Sequence, residues 1–156
     1  MMKSKIHFLS LILIIVTICL TCKKDDDWYH ITAYEEQLHK CVNEFRKSKG
    51  KNELVLQFVM VVEAQGHSKD WKNSGDPVAG LQERFDEVIE KIGGTNYGVI
   101  TSLVYNLPPD SVVNRWIADS SARDILLDVY TQSGPGIAEG DNNARYITHM
   151  FLNIPD

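Results

Sequence analysis

Cysteine is scarce in this chain of 156 residues, with three in all, at positions 19, 22 and 41. Basic residues are also in deficit: 16 Lys+Arg against 21 Asp+Glu give a net charge of −5 at pH 7 with His neutral. Phosphate binding needs clustered Lys and Arg, so this balance argues against nucleic acid and anionic lipid as main partners. No Gly-rich phosphate loop, Cys–His pair or G-x-S-x-G nucleophile elbow occurs. The longest apolar run, residues 6–20, falls short of the roughly 20 residues that cross a bilayer. Internal repeats and low-complexity tracts are missing, so the composition describes one ordinary globular domain behind a leader.

That leader is the most informative stretch present. Lys3 and Lys5 form a positive start, and residues 6–20 carry no Asp, Glu, Lys or Arg. Leu20-Thr21-Cys22 ends the run, and Lys23-Lys24-Asp25-Asp26-Asp27 follows. This charge asymmetry is that of a secretory signal over residues 1–21. A cysteine closing such a run resembles the lipobox of bacterial lipoproteins, which implies that Cys22 becomes an acylated N-terminus; Cys19 and Thr21 depart from the usual residues. Loss of Lys3 and Lys5 would move the net charge from −5 to −7. With Cys19 removed and Cys22 acylated, Cys41 has no internal disulfide partner and is expected to be a small buried hydrophobe on a helix face.

Residues 22–31 are expected to form a lipidated tether, at most ~30 Å long, that holds the domain near the membrane. Its three aspartates resemble the acidic export tags of some surface lipoproteins, or form a solvated spacer. Trp28 and Tyr29 either rest at the lipid interface or dock on the domain.

The domain, residues 32–156, opens with capping-box spacing at Thr32 and Glu35. Leu38, Cys41, Val42 and Phe45 then recur at helical spacing, with Glu36, His39, Lys40 and Arg46 off that stripe. After the extended Leu54-Val-Leu56, a second helix over residues 58–72 carries Met60, Val61, Ala64, Ser68 and Trp71 on one broad face. A third helix over 81–92 ends at Gly93-Gly94. Residues 97–105 read as a strand. Pro108-Pro109-Asp110 opens a fourth helix through Val112, Val113 and Trp116. Strands over 137–139 and 145–152 follow, joined by Gly140-Asp141-Asn142-Asn143, while Ser133-Gly-Pro-Gly136 is expected to be a bend or strand entry. The order predicts an α+β fold, a small antiparallel sheet covered by helices.

Four segments in this order resemble the CAP superfamily of cysteine-rich secretory proteins, plant pathogenesis-related proteins and bacterial extracellular domains. Residues 38–46 resemble its opening "hhN.hR" helix, and Ala64-Gln65-Gly-His67-Ser-Lys-Asp70-Trp71 its "A..HA.DM" helix. Val112-Val113-Asn-Arg-Trp116 with Arg123-Asp-Ile-Leu126 resembles "VV..W..S.GHR..IL". Gly136-Ile137-Ala138 and Tyr146-Ile-Thr-His149-Met-Phe151 resemble the paired closing strands. The resemblance covers about residues 34–152 and implies a three-layer α-β-α sandwich. Many members line a groove with two His and two acids that hold a divalent metal. Here Lys72-Asn-Ser-Gly75 stands at the first His, Val99-Ile100-Thr101 at a Glu, and Ala122 at the second His. Lone surviving donors do not make a metal site, so no metal and no cofactor are expected.

Glu63, His67 and Asp70 fall at i, i+4 and i+7 and can share a helix face, a possible acid–base group that the absence of a nucleophile argues against. Trp71 and Trp116 are expected in the core. His67 and His149 are the expected inward-facing histidines, with His30 and His39 facing solvent. The polar groups left to meet a ligand are His149, Arg123 and Tyr97. The reading is a membrane-anchored lipoprotein of the bacterial cell envelope, with surface exposure left open. Its degenerate CAP-like domain binds a peptide, glycan, lipid or protein without catalysis, and its membrane contact runs through the lipid anchor. The alternatives are a hydrolase with a reworked site around His149, His67 and Glu139, and a structural envelope protein.

Overall fold

The computed structural model describes residues 30–155. The signal, Cys22, Trp28 and most of the tether lie outside the described residues. Thr32 starts α1 (Ala33–Ser48) with its hydroxyl accepting from the Glu35 N–H, while the Glu35 carboxylate accepts from the Thr32 N–H at 2.8 Å. This reciprocal cap is the one the Thr32–Glu35 spacing predicts. There follow β1 (Val55–Leu56), α2 (Phe58–Ser74), α3 (Leu81–Ile92), β2 (Thr95–Tyr105), α4 (Pro109–Ala118) and α5 (Ser120–Leu127). Strand β3 (Gln132–Glu139), a 3-10 turn (Asp141–Asn143) and β4 (Ala144–Asn153) complete the order.

The strands lie in the order β1-β3-β4-β2. β3/β4 and β4/β2 are antiparallel, but β1 runs parallel to β3 through Val55↔Gln132 and Leu56↔Ser133, so the sheet is mixed. The Val55 N–H donates to the Thr131 carbonyl and the Gln57 N–H to that of Ser133, which makes a strand of the expected approach segment. β4 is buried on both faces. Ile147 and Phe151 pack with Leu38, Val42, Val112, Trp116 and Leu126 from α1, α4 and α5. Met150 and Leu152 pack on the opposite face with Met60, Ala64, Phe85 and Val88 from α2 and α3. The result is the α-β-α sandwich, with Cys41, Trp71 and Trp116 in its interior.

Two local expectations are corrected. The segment Ser133-Gly-Pro-Gly136 is no bend but the body of β3. The Ile137 N–H points away from β4, to the Glu35 carboxylate at 3.0 Å, so by the two-residue period the nitrogen of Pro135 also faces away and needs no partner. The glycines let α2 lie directly on the strand: a Cβ on Gly134 would fall 2.5 Å from the Val61 nitrogen, and on Gly136 2.0 Å from that of Gln65. Arg46, off the apolar stripe, is 2 % exposed. Its guanidinium donates to the carbonyls of Asn52, Leu126, Asp128 and Tyr130 and ties α1 to the start of β3.

Candidate functional site

His149 lies on the face of β4 that meets α1 and α4, fully buried and stacked on Phe151. Its Nε2 is 3.2 Å from the Ser133 Oγ, which is 3.0 Å from the His39 Nδ1; the His39 Nε2 is 3.1 Å from the Leu54 carbonyl oxygen. The Asn43 Nδ2 amide lies 3.1 Å from the same His39 Nε2, so the direction of the relay follows the His39 tautomer. With His39 protonated at Nε2, that nitrogen donates to Leu54, Nδ1 accepts from the Ser133 hydroxyl, and the Ser133 oxygen accepts from the His149 Nε2–H. The His149 Nδ1 is left without a partner. Burial pushes the His149 pKa well below the ordinary imidazole value, aided by His39, and burial lowers that of His39 as well. A serine hydroxyl within hydrogen-bond reach of a neutral imidazole is the arrangement that activates a nucleophile, but Ser133 is fully buried. His39, expected in solvent, is 9 % exposed because this relay and the Asn43–Leu54 clasp draw it inward.

His67 occupies the other face, with its Nδ1 2.7 Å from the Thr148 Oγ1, beside the Ser68 hydroxyl that donates to the Gly136 carbonyl at 2.9 Å. Burial, then the Arg84 charge, lowers its pKa. Glu63 and Asp70 pair with cations of α3 and not with His67. Arg84 bridges them at 2.9 and 2.5 Å, crossing over Gly66, and Lys91 adds a second bond to Glu63 at 2.9 Å. The trio on α2 is therefore an ion-pair clamp onto α3 plus a buried histidine, and not an acid–base group.

The other predicted residues also stand apart. Tyr97 stacks on Phe85 and donates to the Gln82 Oε1 at 2.7 Å, on the α3 side of β2. His149 lies on the opposite face, and Arg123 on α5 donates to the Ile117 carbonyl at 3.3 Å. Glu139 is exposed and accepts from Arg145 at 3.0 Å, apart from both buried histidines. The structure thus brings together neither His149, Arg123 and Tyr97 nor His149, His67 and Glu139. At two positions where the resemblance implies metal ligands the chain packs hydrocarbon: Ile100 is a core residue, and Ala122 lies against the same cluster. Among the described residues no group of three His, Cys, Asp or Glu side chains is placed to hold a metal ion.

What the fold does assemble is a polar recess of about 490 Å³ between the end of α2, the β3–β4 turn and the end of β2. Lys72, Asn73, Tyr105, Glu139, Asp141, Asn142 and Tyr146 line it. The Lys72 Nζ donates to the Glu139 carbonyl at 3.1 Å, and Tyr146 is braced edge-on by Trp71 at 5.1 Å. Tyr105, Asp141, Asn142 and Tyr146 carry only strand and turn signals in the sequence, so nothing there marks them as a site.

No family model matches this sequence, and no curated protein matches it. Solved structures do. An outer surface protein of Borrelia burgdorferi superposes with a TM-score of 0.65 at 15% identity, over 81% of this chain and 97% of that one. An extracellular protein of Bacillus anthracis containing an SCP domain superposes with a TM-score of 0.64 at 21% identity, over 78% of this chain and 40% of that one. A cysteine-rich secretory protein of Staphylococcus aureus gives 0.65 at 19% identity, over 78% and 39%. The chain spans about two fifths of the length of the last two. The fold is CAP-like.

Proposed function

We propose that this chain is an exported bacterial lipoprotein, anchored through Cys22 at the cell envelope, whose CAP-like domain binds a ligand without catalysis. The observation that carries the binding reading is the contrast between the two kinds of polar group. Imidazoles and hydroxyls fit for chemistry are sealed inside the sandwich, whereas the recess at Lys72, Tyr105, Asn142 and Tyr146 is open and rich in hydrogen-bonding groups. Two tyrosines and paired amides suit a polar ligand with apolar faces, such as a glycan or a peptide. Export is supported by the leader and by the extracellular, secretory and outer-surface descriptions of the proteins that share the fold.

Two experiments test this. Labelling cells with an alkyne fatty acid should tag the wild type and leave Cys22→Ala untagged and released from the membrane; an untagged wild type contradicts the anchor. A thermal-shift screen of the purified chain with soluble oligosaccharides and peptides should give a stabilising hit. That shift should vanish in Tyr105→Ala and Asn142→Ala, and a hit insensitive to both would move the site elsewhere.

A further inference from the structure

Strand β2 forms one edge of the sheet. The odd residues of β3 face away from β4, as the Ile137–Glu35 bond shows. Carried through Gly136↔Thr148 and Ile100↔His149, that alternation leaves Gly98, Ile100, Ser102 and Val104 bonded to β4. The backbone groups of Tyr97, Val99, Thr101, Leu103 and Tyr105 then point to the free edge. Among the described residues none of them makes a backbone hydrogen bond outside the sheet ladder. Sheet edges are ordinarily blunted by charge, proline or bulges. Residues 95–105 contain no Asp, Glu, Lys, Arg or Pro, and the single register irregularity lies at the Thr95/Tyr97 end. Tyr97, Leu103 and Tyr105 are 42, 40 and 58 % exposed.

The occupant is written in the strand itself. Tyr97, Val99, Thr101, Leu103 and Tyr105, the edge-facing residues, read alike in both directions about Thr101, as do the flanking Asn96 and Asn106, whereas Gly98/Val104 and Ile100/Ser102, which face β4, do not match. Asn96 and Asn106 both turn the chain in the left-handed region, at φ 49° and 48°, and so bracket the edge symmetrically. An antiparallel partner presents its sequence end for end, so among the edge-facing residues a second copy of β2 sets tyrosine opposite tyrosine, valine opposite leucine and threonine opposite threonine. Pairs of these kinds stabilise antiparallel sheets. We propose that β2 pairs with β2 of a second copy across a two-fold axis at Thr101, joining two four-stranded sheets into one of eight strands. Tyr97 then opposes Tyr105 of the second copy, Val99 opposes Leu103, and the five edge-facing residues exchange hydrogen bonds as directly opposed pairs. The interface is isologous and closed, and it consumes the exposed edge. It requires neither the lipid anchor nor a ligand in the recess.

Cysteine cross-linking of the full chain in its membrane reads the register. Directly opposed residues in a hydrogen-bonded antiparallel pair lie ~5.5 Å apart at Cα, within disulfide reach. Under mild oxidation Thr101→Cys should form a species of twice the mass, well above the unsubstituted chain and Val78→Cys, whose position is 69 % exposed. Tyr97→Cys and Tyr105→Cys should each stay single when alone and cross-link when co-expressed. A Thr101→Cys yield no greater than that of Val78→Cys, or cross-links only to another polypeptide, overturns the proposal. Independently, Thr101→Lys places like charges across the axis. In sedimentation equilibrium of the detergent-solubilised chain it should weaken self-association at least about tenfold with an unchanged circular-dichroism spectrum. An unchanged association constant overturns it.

Discussion

His149 lies flat against Phe151, with ring centroids 4.5 Å apart and planes 14° from parallel, and both side chains are fully buried. An imidazole held in hydrocarbon resists protonation, as do His39 and His67. Above about pH 6.5 these groups are neutral in the folded and unfolded chain alike and give no pH dependence. Below it the unfolded chain takes up protons that the folded chain refuses. Stability therefore falls with pH, by about 1.4 kcal/mol per pH unit for each such histidine, until the lowered folded-state values are reached. Urea unfolding at pH 7.5, 6.0 and 5.0 should show this decline. His149→Phe should reduce its slope by about one proton, and an unchanged slope would mean that His149 is not protected.

Among the described residues Arg46 makes no close ion pair; it is held by four backbone carbonyls, the shortest contact being 2.7 Å to Leu126. Arg46→Met keeps the apolar stem and strips all four acceptors. It should cost more than about 3 kcal/mol, because buried carbonyls are left unpaired. Arg46→Lys should recover only part of that, since an ammonium lacks the planar fork. A loss below about 1 kcal/mol in denaturant unfolding would place the side chain among ordinary surface positions.

The sequence shows local chemistry well and distant acceptors poorly. The Thr32–Glu35 cap, the α3 limits and the end of β2 were legible because each rests on neighbouring residues. The burial of His39 and Arg46 is not legible because helical periodicity marks only hydrocarbon. Their partners, Ser133 and the carbonyls of residues 126–130, come from about 80 or more residues away. The strand character of residues 132–136 was hidden by Pro135 and two glycines, which read as a bend until α2 is seen lying on them. α5 was missed as a helix because its eight residues offer about two turns of periodicity. The recess was invisible for a related reason: it joins the ends of three elements and no single motif.

Gly136 tests that helix-on-strand contact. A methyl group there would meet the Gln65 nitrogen and the Ala64 carbonyl carbon, 2.0 and 2.1 Å away, and backbone cannot swing aside as a side chain can. Gly136→Ala should exceed the ~1–3 kcal/mol usual for overpacking, and it should also break the Ser68 bond to the Gly136 carbonyl. Gly75→Ala is the control: φ is +79° and the space around it is open, so only the ~1–2 kcal/mol of left-handed backbone strain is expected. Equal losses for the two variants would contradict the close packing of α2 on β3.

Calorimetric titration of the purified chain with zinc bears most directly on the non-catalytic reading. Ile100 and Ala122 fill with hydrocarbon two places where the resemblance implies ligands, and His149 is packed among Phe151, Trp116 and His39, with Ser133 its one hydrogen-bond partner among the described residues. A divalent ion needs several converging donors to leave its hydration shell. The expected result is no stoichiometric binding heat at micromolar zinc. A one-to-one site that is abolished by His149→Ala would contradict the non-catalytic reading and establish a rebuilt metal centre.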